Sequence, residues 1–334
     1  MTGLFTLLKK GSKSSLIAAI VNFILGTLKL VAYIFTGNVA MFAEMMHSYG
    51  DAANQLFVWV GSAVSKKAPN ERFPFGYGRL INIVCLFAVI IVAILAYETV
   101  LEGIHHIMNP THQEQSLNQF LIAIGVLLIG VVLEGSVLYK AGQEVLEEVH
   151  KPATGLHPLT TSYANIGSAK PATKLVFMED TVATGGGFIA LIAIIIARFT
   201  GWSQVEGIVS VIIGLAMFYV VFKVFMENAA GAIGRADEEM EVNASKVILE
   251  HPDVSDIKRL VVMKEGEDKH VEALIEVSNH EFNLRELTEI KKSVASALLK
   301  QPHVTDVNVE IMEDDGMDDW VSGNGSSVNR NIYE

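Results

Sequence analysis

The 334-residue chain has one cysteine, Cys85, and it lies inside an apolar run. A single thiol excludes a disulfide framework and a multi-thiolate metal centre. No phosphate-cradling GxxxxGK(S/T) loop is present, so any energy-requiring work must draw on a gradient rather than on nucleotide hydrolysis. Surplus positive charge is missing as well. Residues 1–234 carry 14 basic and 14 acidic side chains, whereas residues 235–334 carry 11 and 23, so the whole net charge of −12 sits in the last hundred residues. Phosphate binding needs basic patches, which excludes nucleic acid as a partner. The N-terminal segment lacks a small-residue cleavage site after a short apolar core, which predicts that its apolar run is retained. It also lacks an Arg-rich amphipathic transit pattern, which points to a bacterial inner membrane.

What the chain does have is apolar length. Hydrophobic residues make up 51% of it, and runs of membrane-spanning length recur at 14–36, 39–64, 80–104, 117–139, 174–198 and 205–227. This predicts a multi-pass integral protein with six transmembrane helices and the lipid bilayer as its surroundings. Lys and Arg set the orientation. Lys9, Lys10 and Lys13 precede the first run; Lys66, Lys67, Arg72 and Arg79 lie between the second and third; Lys140, Lys151, Lys170 and Lys174 lie between the fourth and fifth. The opposite connections are nearly free of positive charge. Both termini are therefore expected on the cytoplasmic side.

The second run carries a polar stripe: Glu44, His47, Asp51 and Asn54, spaced by three, four and three residues and so on one helical face. An ionisable group at membrane depth costs at least ~2.5–3.5 kcal/mol and belongs at a bundle interior, a wet cavity or an ion path. His47 and Asp51, one turn apart, offer the nitrogen and oxygen ligands that a borderline divalent ion such as zinc accepts. The plainer alternative is a hydrogen bond between helices.

Glu179 and Asp180 form a second constellation, followed by Thr181, Thr184 and Gly185-Gly186-Gly187 in the fifth run. Carboxylates inside an apolar helix must be neutralised or coordinated, and the glycines allow close approach of another helix. Alternatively the two acids are favourable charges at a helix start near the membrane surface. Adjacent helical residues diverge by about 100°, so both cannot point at one centre, and Asp180 is the better-placed ligand. Asn22 and Lys29 share a face of the first run; Lys29 is expected to snorkel or pair with an acid. Glu98, Glu102 and Glu134 read equally as structural. His105, His106 and His112 read as solvated outer surface, or as groups that receive a released ion.

After about Gly234 the pattern changes to a small α+β domain. Asp237–Glu250 and Asn283–Lys300 have helical spacing, while Val254–Met263, Val271–Val277 and Val304–Met312 alternate as strands, with a turn through Gly266. That order suggests a split βαβ, ferredoxin-like unit over residues 235–312. Residues 313–334, acidic and then Gly/Ser/Asn-rich, read as disordered. His251, His270, His280 and His303 are dispersed through this domain.

His47-Ser48-Tyr49-Gly50-Asp51, the Asn22-to-Lys29 segment, the Thr36-Gly37-Asn38 turn and Phe75-Gly76-Tyr77-Gly78-Arg79 together resemble the cation diffusion facilitator family. The resemblance implies a homodimeric, proton-coupled antiporter that exports a divalent metal ion from the cytoplasm, with zinc first. It implies no enzymatic activity and no resident cofactor. In that family the helix-five pair is His or Asp followed four residues later by Asp. Here Val176 occupies the first position, and the Glu179-Asp180 pair is similar to the zinc transporter nine branch. The implied metal ligands are His47, Asp51, Asp180 and Glu179, with Asn22 or water available to complete the shell. Loss of an imidazole makes the set richer in oxygen and admits manganese or iron(II) as alternative cargo. A transport-incompetent partner subunit or a membrane metal sensor is the alternative from another class.

Overall fold

The computed structural model describes residues 6–74, 76–110, 116–152, 154–166, 171–265, 268–278 and 282–320. The main helices of the first part are α1 (Lys13–Thr36), α2 (Val39–Ser65), α3 (Leu80–Met108), α4 (Leu117–Glu148), α5 (His157–Asn165), α6 (Pro171–Thr200) and α7 (Gln204–Ile233). There follow α8 (Glu238–Leu249), β1 (Val254–Glu265), β2 (Asp268–Val277), α9 (Leu284–Leu298) and β3 (Val304–Glu313). The chain divides into two compact units, residues 1–63 with 84–228, and residues 64–83 with 229–334. The connection between α2 and α3 thus belongs to the second unit, which composition alone did not indicate.

In the first unit, α1, α3, α4, α6 and α7 each contain a stretch long and apolar enough to cross a membrane. Only 22–33% of each stretch is buried within the protein, and Ile24, Phe35, Phe87, Ile94 and Phe222 are exposed. Apolar faces of this extent require lipid around them. The chain is a multi-pass membrane protein. Helix α2 is equally long but less apolar, since it carries the polar stripe; it buries 13 of its 27 residues, against 7 of 29 for α3. It is therefore an interior helix, and the side chains that lipid would reject lie on it.

Local chemistry fixes the helix ends. Asn38 Oδ1 accepts the Met41 N–H at 3.0 Å, capping α2. Ser116 and Gln119 form a reciprocal capping box on α4. Helix α4 runs on past its apolar stretch to Glu148. Helix α5 was not anticipated, because its Thr-Thr-Ser centre has little apolar periodicity; Pro158 in its first turn was the available signal. It is held by Ser162 Oγ donating to the Gly142 carbonyl at 2.9 Å and by Leu159 against Leu138, Val145 and Phe177.

The second unit has a three-stranded sheet in the order β1-β2-β3. Strands β1 and β2 are antiparallel, with Leu260 opposite Ala273; β2 and β3 are parallel, with Ala273 opposite Val309. The αββαβ order matches the sequence reading, but the split arrangement does not occur. Strands β2 and β3 are direct neighbours because β1, joined to β2 by a short connection, pairs with the other edge of β2 rather than lying between them. Ile248, Ile257, Ile275, Val294 and Leu298 are fully enclosed in the core. Asp237 caps α8 through the Met240 N–H at 3.1 Å, and Asn283 with Glu286 forms a capping box on α9.

Two features here bear on the sequence reading. Gly78 packs so closely on the end of β1 that a Cβ would collide with the Glu265 carbonyl. Beside it, Arg79 pairs with Glu265 at 2.7 Å and donates to Met263 Sδ at 2.8 Å. The Gly-Arg step of the family-like motif thus has a packing role. Second, the stretch after β3 is held in place at least to Trp320, contrary to the expected disorder from residue 313; residues 321–334 lie outside the described residues. Lys258 Nζ stands 2.7 Å from Asp315 and 2.5 Å from Asp319. Asp256 Oδ2 accepts the Asp319 N–H at 2.5 Å, and Trp320 packs on the core. Ion pairing and one aromatic anchor supply what hydropathy lacked.

This strap crowds Glu276, whose side chain is 0% exposed and 3.6 Å from Lys258. Burial, then Asp315, pushes its carboxyl above the ordinary range, with Lys258 opposing. A carboxyl raised in the folded state binds its proton more tightly there. Its contribution is full below the ordinary value and is lost as pH rises through the folded value. Glu276→Gln is accordingly expected to raise the thermal midpoint of this unit at neutral pH, with the advantage vanishing near pH ~4. Melting curves of the detergent-solubilised chain across that range test it; a constant difference would contradict the assignment.

Candidate metal site

The four residues of the α2 stripe do not act as one set. Glu44 turns to Lys29: Lys29 Nζ lies 2.8 Å from Glu44 Oε2 and 2.9 Å from Glu134 Oε1, and donates to Ser48 Oγ at 2.9 Å. Lys29 pairs with acids rather than snorkelling, and Glu134 finds its role beside it. The glycines of α6 permit this arrangement. A Cβ on Gly186 would stand 2.8 Å from Glu44 Oε1, and one on Gly187 would stand 2.9 Å from Val131.

His47, Asp51 and Asn54 form the other part. His47 is buried, and its Nε2 stands 3.5 Å from Asp51 Oδ2, yet that nitrogen makes no hydrogen bond among the described residues. Asp51 and Asn54 line a small, partly open cleft with a cavity volume of about 30 Å³, together with Gly50, Val89, Val92, Glu179, Val220, Val221 and Val224. A space of about 30 Å³ holds a small ion or a water molecule but not an organic ligand, whose sites run to roughly 300 Å³ or more.

Helix α6 contributes both of its acids, and differently from the expectation. Glu179, ranked second on the sequence, is the one on the cleft wall with Asp51. Asp180 lies within electrostatic range of Asp51, Glu144, Glu134 and His47, and its Oδ2 is buried without a hydrogen-bond partner among the described residues. The ~100° divergence of adjacent helical residues puts one acid on the cleft and the other behind it. The structure thus brings His47, Asp51, Glu179 and Asp180 into one region. It does not gather three of them at coordination distance: among the described residues, the groups of three or more His, Cys, Asp or Glu side chains with ligand atoms within 4.8 Å of one another are Asp256, Glu276, Asp319 and Glu276, Asp314, Asp315, both in the second unit. Both adjoin Lys258, whose ammonium already offsets their charge.

The remaining histidines are engaged or dispersed. His106 Nε2 lies 3.2 Å from the Ser203 carbonyl, so it ties α3 to the turn before α7. His270 stands 3.2 Å from Glu265 and 3.5 Å from Asp306, and His251 3.9 Å from Asp253. His112 and His280 lie outside the described residues.

Residues 15–231 match the model of the cation efflux transmembrane domain. The chain belongs to the cation diffusion facilitator family. It is 26% identical over 243 residues to the mouse (Mus musculus) mitochondrial proton-coupled zinc antiporter SLC30A9, covering 73% of this chain and 41% of that one. It is 22% identical over 232 residues to the zinc transporter ZitB of Yersinia pestis, covering 70% and 66%. To the manganese efflux system protein MneS of Bacillus subtilis it is 23% identical over 310 residues, covering 92% and 96%. The chain thus spans about two fifths of the length of the antiporter relative.

Lys29 is the cation on which the buried acids of this family member depend. Lys29→Met would leave two buried carboxylates without their counter-charge, a change that costs about 3–5 kcal/mol. Thermal unfolding in detergent should show that loss, while Lys29→Arg should recover part of it; an unchanged melt for Lys29→Met would contradict the ion triad.

Proposed function

We propose that this chain is a homodimeric, proton-coupled antiporter that exports a divalent transition-metal ion, zinc first, from the cytoplasm. The observation that carries the reading is the pairing of His47 with Asp51 beside a valine-walled cleft, with the α6 acids Glu179 and Asp180 in the same region. These four are the proposed ligands. A metal arriving between α2 and α6 would draw His47 Nε2 and Asp180 Oδ2, both without hydrogen-bond partners among the described residues, into its shell.

Antiport follows from the donors. His47 binds metal only when neutral and the acids only when ionised, so metal and protons compete for the same atoms. In this reading α2 joins the five more apolar helices as a sixth crossing, its polar face covered by its neighbours. The Lys and Arg distribution supports cytoplasmic termini, and the bacterial relatives favour an inner membrane. The second unit is the proposed dimer contact.

Manganese is the second reading. The relative named as a manganese efflux protein aligns with 92% of this chain, and three carboxylates with one imidazole form an oxygen-rich set that a harder ion accepts.

Reconstitution into liposomes bearing a pH gradient tests both. Zinc flux should exceed manganese flux, and Asp51→Ala should cut the favoured flux at least ~100-fold, since even supporting residues around a metal contribute 10–100-fold. Manganese ahead of zinc would select the second reading. No flux with any ion, from protein shown to be folded and inserted, would overturn transport in favour of a partner subunit or sensor.

A further inference from the structure

The triad of Lys29, Glu44 and Glu134 lies outside the proposed ligand set and has an unbalanced charge. Lys29 Nζ holds Glu44 Oε2 at 2.8 Å, Ser48 Oγ at 2.9 Å and Glu134 Oε1 at 2.9 Å. An ammonium has three hydrogens to donate, so Lys29 is saturated. One positive charge therefore faces two carboxyls in a place where the lysine is 1% exposed and Glu44 0%. Each carboxyl also has an oxygen that Lys29 does not reach. Glu44 Oε1 and Glu134 Oε2 are buried and have no hydrogen-bond partner among the described residues.

Both free oxygens lie against the glycines of α6. A Cβ on Gly186 would stand 2.8 Å from Glu44 Oε1, and one on Gly187 would stand 3.5 Å from Glu134 Oε2. Glycine there leaves no side chain to shield or satisfy those oxygens. A buried, uncompensated carboxylate has to be neutralised. The groups facing the pair are Lys29 from α1, His47 and Asp51 from α2, and Asp180 from α6. His47 is the one basic side chain among them besides Lys29, and it is committed to the cleft with Asp51. A metal ion is a poor counter-charge here, because the ammonium sits within 3 Å of both carboxyls and repels it. A proton needs no cavity and no further ligand, and it occupies the oxygen that is left over.

We propose that the Lys29–Glu44–Glu134 triad binds one exchangeable proton, on Glu44 Oε1 or Glu134 Oε2, at a site separate from the metal ligands. The protonated state is neutral: one ammonium, one carboxylate, one carboxylic acid. Release of the proton leaves a net negative charge one helical turn before His47 on α2, where it favours a cation at the cleft. Coupling then has a second component beyond competition for the ligand atoms themselves. The role of this proton in antiport rests on the reading above; its binding does not.

Two measurements on the full chain test this. In metal-free protein, infrared difference spectra between acidic and neutral buffer should contain the carbonyl band of a buried carboxylic acid. Glu134→Gln should remove that band, and Asp180→Asn should leave it. Glu134→Gln leaves a balanced Lys29–Glu44 pair of nearly the same shape, and Glu44→Gln, which leaves the Lys29–Glu134 pair, serves where the first variant does not fold. In weakly buffered solution, protons released per zinc ion bound should fall by about one in either variant while zinc stoichiometry is retained. A wild-type spectrum without the band, or variants with unchanged band and unchanged proton release, would overturn the proposal. Failure of the antiport reading would look different: wild-type liposomes would show no gradient-driven flux while the infrared band and its loss in Glu134→Gln persisted.

Discussion

A charge placed at membrane depth has no water to turn to, and this constraint organises the first unit. Five helices can present Ile, Leu, Val and Phe to lipid because α2 carries most of the polar load inward. Its acids and histidine are then tolerated only where other helices bring something to meet them. Lys29 comes from α1, Glu134 from α4, and Glu179 and Asp180 from α6. The small residues of α6 follow from the same requirement, since a side chain at Gly186 would contact the Glu44 carboxyl.

Seen this way, one helical stripe supports two kinds of chemistry. On one side of α2, Glu44 and Ser48 meet the Lys29 ammonium, while Glu44 Oε1 has no hydrogen-bond partner among the described residues. On the other side, His47 and Asp51 face each other across 3.5 Å without completing a hydrogen bond. The first arrangement holds helices together, and the second leaves donor atoms available to an ion. The division lets one membrane helix carry both a buried charge cluster and part of the cleft wall.

Much of this was legible from the chain. The apolar runs marked each long helix to within a few residues, except where α4 and α7 continue further, because hydropathy signals what lipid accepts and says little of a helix that outruns it. The i, i+4 spacing of His47 and Asp51 was sufficient to pair them. What spacing could not show was the partition of the stripe, since Glu44 was assigned by a lysine fifteen residues earlier and a glutamate ninety residues later. Nor could it rank Glu179 against Asp180, because which of two neighbouring acids meets the cleft depends on the rotation of α6 against α2. Helix α5 and the strap ending at Trp320 share a reason for leaving little sequence signal: each is held by polar contacts to distant residues and a single apolar anchor, Leu159 or Trp320, rather than by a periodic apolar face.

The close seat of Gly78 on the end of β1 has a bearing on how such chains are dissected. Because residues 64–83 belong to the same compact unit as the tail, the link between α2 and α3 is not a free hinge. Arg79 and the backbone at Gly78 find their partners on Met263 and Glu265. A chain cut after Gly234 would therefore lose more than an appended regulator. It would also remove the partners of Gly78 and Arg79, so a defect in such a truncated chain reports on the α2–α3 link as much as on the missing sheet.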